Sequence, residues 1–193
     1  TDTIELYNAT EAEVTLGGWF LSDSTTFDKF RIPAGTVIPP RGFVTFSEKQ
    51  FNPNGEWNPD AGLVVERDFS LSGSKGDDVW LVEADEHGNA LRVIDKVEFG
   101  PSRSGVSFGR WPDGAPGGFI PQKNLTLGEV NAEPWAGPVV ISEIQYNPGD
   151  MEDANNLEFI EVYNSSQAEV TLAEWTISGG VGFTFPQGIK LPA

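Results

Sequence analysis

The chain has 193 residues, with 12 lysines and arginines against 29 aspartates and glutamates and no cysteine, a formal net charge of −17. Disulfide staples, thiolate zinc sites and cysteine nucleophiles are excluded. A field of that sign repels DNA, RNA and anionic lipid, which bind through clustered lysine and arginine, and no apolar run reaches the ~18–20 residues of a membrane-spanning helix. Six tryptophans and 13 phenylalanines supply ample core material.

Taken in order, the apolar stretches alternate at period two or form short β-rich blocks, the pattern of strands. They fall at residues 3–7, 14–22, 29–32, 42–47, 62–65, 78–83, 91–99 and 106–110. Spacing of roughly 8–12 residues between short strands predicts an antiparallel sandwich or barrel. Within the second stretch Val14, Leu16 and Trp19 are expected to face a core, with a bulge at Gly17-Gly18. Asn8-Ala-Thr reads as an Asx turn closing the first strand, and Glu86-His87-Gly88-Asn89 as the turn of a hairpin. Residues 100–118, rich in glycine and proline, predict a long irregular connection, and residues 128–138 a linker. Beyond it VVISEIQ (139–145) alternates as a strand.

The chain repeats itself. IELYNATEAEVTLGGWFLS (4–22) aligns without a gap with IEVYNSSQAEVTLAEWTIS (160–178) at an offset of 156, and IPAGTVIPP (32–40) aligns with FPQGIKLPA (185–193). A period this long implies tandem domains, since solenoid repeats run to ~20–50 residues. The expected organisation is a domain over 1–127, a linker over 128–138 and the N-terminal part of a second copy over 139–193. The first copy has no counterpart of strand 139–145, and a sandwich without that strand exposes an unpaired edge. Strand 139–145 is therefore expected to fill the vacancy in the same or another chain, the latter giving a strand-exchanged homodimer.

These motifs, IELYN and EFIEVYN, V-T-L-x-x-W, P-x-G-x-x-[IL]-P, the WLVEADEHGNALRVIDKVEF hairpin and SFGRWPDG, resemble the lamin tail domain. That family is an immunoglobulin-like module of nuclear lamins and many secreted bacterial proteins. The resemblance implies an all-β, immunoglobulin-like antiparallel β-sandwich. It also implies a secreted or cell-surface location and a fragment cut from a longer multi-domain bacterial protein.

Candidate chemistry is sparse. Asp150, Glu152, Asp153 and Asn155 form the densest run of oxygen ligands, a candidate Ca²⁺ loop that lacks EF-hand spacing. Arg103, Phe108, Arg110 and Trp111 are a basic-aromatic cluster on the long connection and a candidate interface. Glu5, Glu158 and Glu161 are candidate paired carboxylates. His87 reads as a turn residue, and residues 70–76 as a polar turn without phosphate-loop order. The sequence therefore predicts a non-catalytic binding or structural module with no cofactor, a protein or surface-glycan partner, no nucleic acid and no membrane insertion. The alternatives are a Ca²⁺-assisted adhesion or carbohydrate-binding module and a hydrolase using paired carboxylates.

Overall fold

The computed structural model describes residues 2–53, 68–148 and 157–193, in two compact units, Thr1–Trp135 and Ala136–Ala193. The expected strand at 62–65 and the candidate Ca²⁺ loop at 149–156 lie outside the described residues.

In the first unit β1 (Thr3–Tyr7) runs antiparallel to β6 (Phe43–Ser47), with Glu5 opposite Thr45. Short strands β2 (Val14–Thr15) and β5 (Val37–Ile38) pair beside them. A four-stranded antiparallel sheet follows the order β4 (Phe30–Arg31), β3 (Phe20–Ser22), β7 (Asp77–Ala84), β8 (Ala90–Phe99). Ile4 and Phe46 from β1 and β6 meet Leu21 and Val79 from the four-stranded sheet in one core, closed by Leu16, Ile32, Ile38, Phe51 and Phe69. Two antiparallel layers facing across that core make a sandwich of the immunoglobulin-like kind. A one-turn helix, α1 (Glu48–Phe51), carries the buried Phe51 against Phe69, their rings stacked 4.8 Å apart.

The expected strand over 14–22 is two strands. Trp19 N–H closes a tight turn on Leu16 C=O (3.0 Å), so the chain leaves β2 and enters β3 with a different partner. The glycine pair thus makes a turn between strands and not a bulge within one. Gly18 supplies a φ of +93°, and a Cβ on Gly17 would lie 2.8 Å from the Gly35 nitrogen. In this copy glycine at both positions suits the close approach and the left-handed backbone.

The hairpin β7–β8 turns at Asp85, whose carboxylate accepts the N–H groups of His87 (2.9 Å) and Asn89 (2.8 Å). The Asn89 side-chain amide, then those backbone donors, hold the Asp85 pKa below its ordinary value. Past β8 the chain is irregular, apart from β9 (Phe108–Gly109) paired with β10 (Ile120–Pro121). Residues 128–135 are not a free linker: Lys123 N–H donates to Glu133 C=O (2.9 Å) and Trp135 N–H to Pro121 C=O (2.8 Å), tying them into the first unit.

In the second unit β11 (Val139–Gln145) pairs antiparallel with β12 (Phe159–Asn164). The strand expected to complete the first copy is, within this chain, the opening strand of its own copy. Then β13 (Val170–Thr171) pairs with β16 (Lys190–Leu191), and β14 (Thr176–Ile177) with β15 (Phe183–Thr184). The turn before β14 repeats the first unit: Trp175 N–H donates to Leu172 C=O (2.9 Å), and Glu174 takes φ +66° where the first copy has Gly18.

Candidate binding groove beside the first strand

Strand β1 bonds to β6 through its even residues. Asn8 N–H donates to Gly42 C=O (3.0 Å) and Glu48 N–H to Asp2 C=O (2.8 Å). Bonded pairs alternate along an antiparallel ladder, so Ile4 and Leu6 also bond towards β6. Thr3, Glu5 and Tyr7 therefore turn their N–H and C=O groups to the opposite side, where no backbone group among the described residues receives them.

On that side lies an open groove of about 1190 Å³, lined by β1, parts of β7 and β8, and the irregular segment from Ser102 to Asn131. Its floor reaches the core at Ile4, Leu16 and Leu21, and Leu81, Val97 and Phe99 make its far wall apolar. Glu5 is the main ionisable group on the β1 wall. Burial raises its carboxyl pKa above the ordinary glutamate value, against the opposing effect of the Gly128 N–H that it accepts; Asp113 raises it further. Gly114 sits against the Tyr7 ring, where an added Cβ would lie 3.2 Å from it.

Of the four predicted interface residues, Arg103, Phe108 and Arg110 line this groove, and Trp111 does not. Arg110 grips Asp95 with two bonds (2.8 and 2.9 Å) and lies 5.3 Å over the Phe119 ring. Phe108 packs 5.7 Å from Phe99. Both serve to pin the irregular segment to β8. Trp111 is 46 % exposed and precedes a cis proline, Pro112. The cluster is thus divided between wall-building residues and an exposed ring.

The other candidates do not converge. Glu5 is in the first unit, Glu161 in the second accepts the Ser142 hydroxyl (2.5 Å), and Glu158 is exposed. His87 is exposed beside Glu86, 3.6 Å away. Ser72 N–H in the polar turn donates to Asp77 (2.9 Å), which uses the turn to enter β7. Among the described residues no three His, Cys, Asp or Glu side chains gather as a metal-binding group, and no helix is long and apolar enough to cross a membrane.

Asn8 and Asn164, the first residues of two glycosylation-like triplets, are buried and spend their amides inside the fold. The groove itself escaped the sequence reading, because its second wall is a segment without periodicity.

A family model described as Lamin Tail Domain matches residues 1–100 and 133–193 of this chain. No curated protein and no solved structure matches it.

Proposed function

Because this chain belongs to the lamin tail domain family, we propose that it serves as a non-catalytic binding or structural module within a larger multi-domain bacterial protein of the secreted or cell-surface kind. One observation carries the reading. The residues the two copies share most closely are spent on scaffold: Asn8 and Asn164 tie turns, Leu16 and Leu172 are buried, and Trp19 and Trp175 close the same tight turn. Glu5 and Glu161 are shared as well, but each accepts a hydrogen bond within its own unit, from Gly128 N–H and the Ser142 hydroxyl, so function is argued from the surfaces the shared architecture presents.

The partner that fits is a protein or surface glycan. A chain of net charge −17 is a poor ligand for phosphate polymers. An assay of the full chain against chromogenic esters, glycosides and phosphoesters tests the non-catalytic reading: hydrolysis at the buffer rate is expected. Turnover that disappears in Glu5→Gln would replace this reading with the hydrolase alternative.

A further inference from the structure

We propose that Asn124 is a modification site, the acceptor of an N-linked glycan. The proposal rests on the secreted or cell-surface reading above, and three observations carry it.

The first is a contrast among three Asn-x-Ser/Thr triplets, at residues 8–10, 124–126 and 164–166. This is the acceptor pattern for glycosylation when the middle residue is not proline. In two of them the fold consumes the triplet. The third-residue hydroxyl closes on the asparagine's own Oδ1, Thr10 on Asn8 (2.8 Å) and Ser166 on Asn164 (2.7 Å). Both asparagines are buried, and each Nδ2, the atom that would carry the sugar, donates to three backbone carbonyls. A sugar on either nitrogen would displace those bonds.

The second is that Asn124 departs from this arrangement on every point. It is exposed, and among the described residues its side chain makes no hydrogen bond. The Thr126 hydroxyl turns to Asn131 Oδ1 (3.5 Å) and not to Asn124, so the turn chemistry that explains the other two triplets does not explain this one. The triplet stands on a loop closed at its base by the Gln122–Pro134 bridge and by Lys123 N–H donating to Glu133 C=O (2.9 Å). A bulky group on Asn124 therefore extends into solvent without disturbing a strand.

The third is the surface of that loop. Leu125 and Val130 are 62 % and 70 % exposed. A hydrophilic glycan rooted beside Leu125 gives this apolar surface a cover.

In the transfer, Asn124 Nδ2 attacks C1 of the sugar in a glycosyl diphosphate donor. The C1–Nδ2 bond forms, the bond from C1 to the diphosphate oxygen breaks with its electron pair leaving on the diphosphate, and Nδ2 gives up one proton to a base of the transferase. The chain contributes the acceptor amide.

Cleavage after glutamate places the triplets on separate peptides, residues 6–11, 99–129 and 162–169, so mass spectrometry reads each alone. The full chain is exported from a host that performs Asn-linked transfer. The 99–129 peptide is expected to gain the mass of a glycan and the other two to keep their unmodified mass. Asn124→Gln and Thr126→Ala should abolish the gain, and Thr126→Ser should retain it, all three with an unchanged far-ultraviolet circular dichroism spectrum. The exported Asn124→Gln chain should also bind several-fold more of a hydrophobic dye. An unmodified 99–129 peptide in the exported chain, or equal occupancy of the other two peptides, would overturn the proposal. Fractionation of the source cell separates the two readings. A chain found outside the cell with Asn124 bare overturns the site and keeps the location, whereas a chain held in the cytosol overturns both.

Discussion

Asn8 and Asn164 hold one hydrogen-bond set in two places. The Asn8 amide donates to the carbonyls of Ala12 (2.7 Å), Pro39 (3.0 Å) and Ile38 (3.1 Å), and its oxygen accepts Thr10 N–H (3.0 Å) and the Thr10 hydroxyl (2.8 Å). The Asn164 amide donates to Ala168 (2.7 Å), Pro192 (2.9 Å) and Leu191 (3.3 Å), and its oxygen accepts Ser166 N–H (3.0 Å) and its hydroxyl (2.7 Å). Each asparagine ties the turn after its own strand to the end of a strand about thirty residues later in sequence.

Removing such a buried amide leaves several carbonyls without donors, at about 1–3 kcal/mol for an unsatisfied buried group. Asn8→Ala is expected to destabilise the first unit by about 2–3 kcal/mol. Asn8→Asp should fare no better, because a carboxylate keeps the Thr10 contacts and loses the donor. Urea unfolding followed by tryptophan fluorescence measures both.

Gly76 enters β7 at φ +84°, and a Cβ there would lie 2.2 Å from the Phe99 carbonyl oxygen. The left-handed backbone costs a non-glycine residue ~1–2 kcal/mol by itself, and the collision adds to it. Gly76→Ala is expected to lose more than about 2 kcal/mol. Gly73, whose added Cβ meets nothing within 4 Å, is the control: Gly73→Ala should change the melting temperature little.

Local signals were legible where a residue acts on its neighbours. The Asn8 to Thr10 contacts follow from Asn-x-Thr chemistry, and the Asp85 turn from Glu-His-Gly-Asn. The long-range half of the Asn8 set was not, since nothing in residues 8–12 states that Ile38 and Pro39 come within reach. Residues 14–22 mislead for a related reason: the blocks on both sides of Gly17-Gly18 have strand character, and it is the Trp19–Leu16 turn and the approach of Gly17 to Gly35 that show the chain changing partner there. Glycine and proline around Trp135 suggest a linker, while its N–H is fixed to the Pro121 carbonyl by distant pairing.

Glu5 supplies a pH signature. Its folded pKa stands above the ordinary glutamate value of ~4.3 because burial disfavours the charged carboxylate. An acid with a raised folded pKa binds protons better folded than unfolded. Its favourable contribution is complete below the unfolded value and declines as pH rises through the folded one. The melting temperature of Glu5→Gln relative to the unaltered chain is therefore expected to be higher at pH 7 than at pH 3. A difference that does not change between those pH values would place Glu5 in water.

The Ca²⁺ alternative is answered by calorimetry on the full chain. A loop with the ~10⁻⁴–10⁻³ M affinity common in extracellular modules would give heat and a raised melting temperature at several millimolar Ca²⁺. The account of a metal-free scaffold expects neither. The Asp150→Asn/Asp153→Asn double variant should then match the unaltered chain in both Ca²⁺ and EDTA.

The open edge of β1 is most directly read by amide hydrogen exchange on monomer isolated by gel filtration. Ile4, Leu6 and Asn8, bonded towards β6, are predicted to exchange slowly, and Thr3, Glu5 and Tyr7 fast, alternating residue by residue. Uniform slow exchange across residues 3–8 in that monomer would contradict it, since every amide of β1 would then already have a partner.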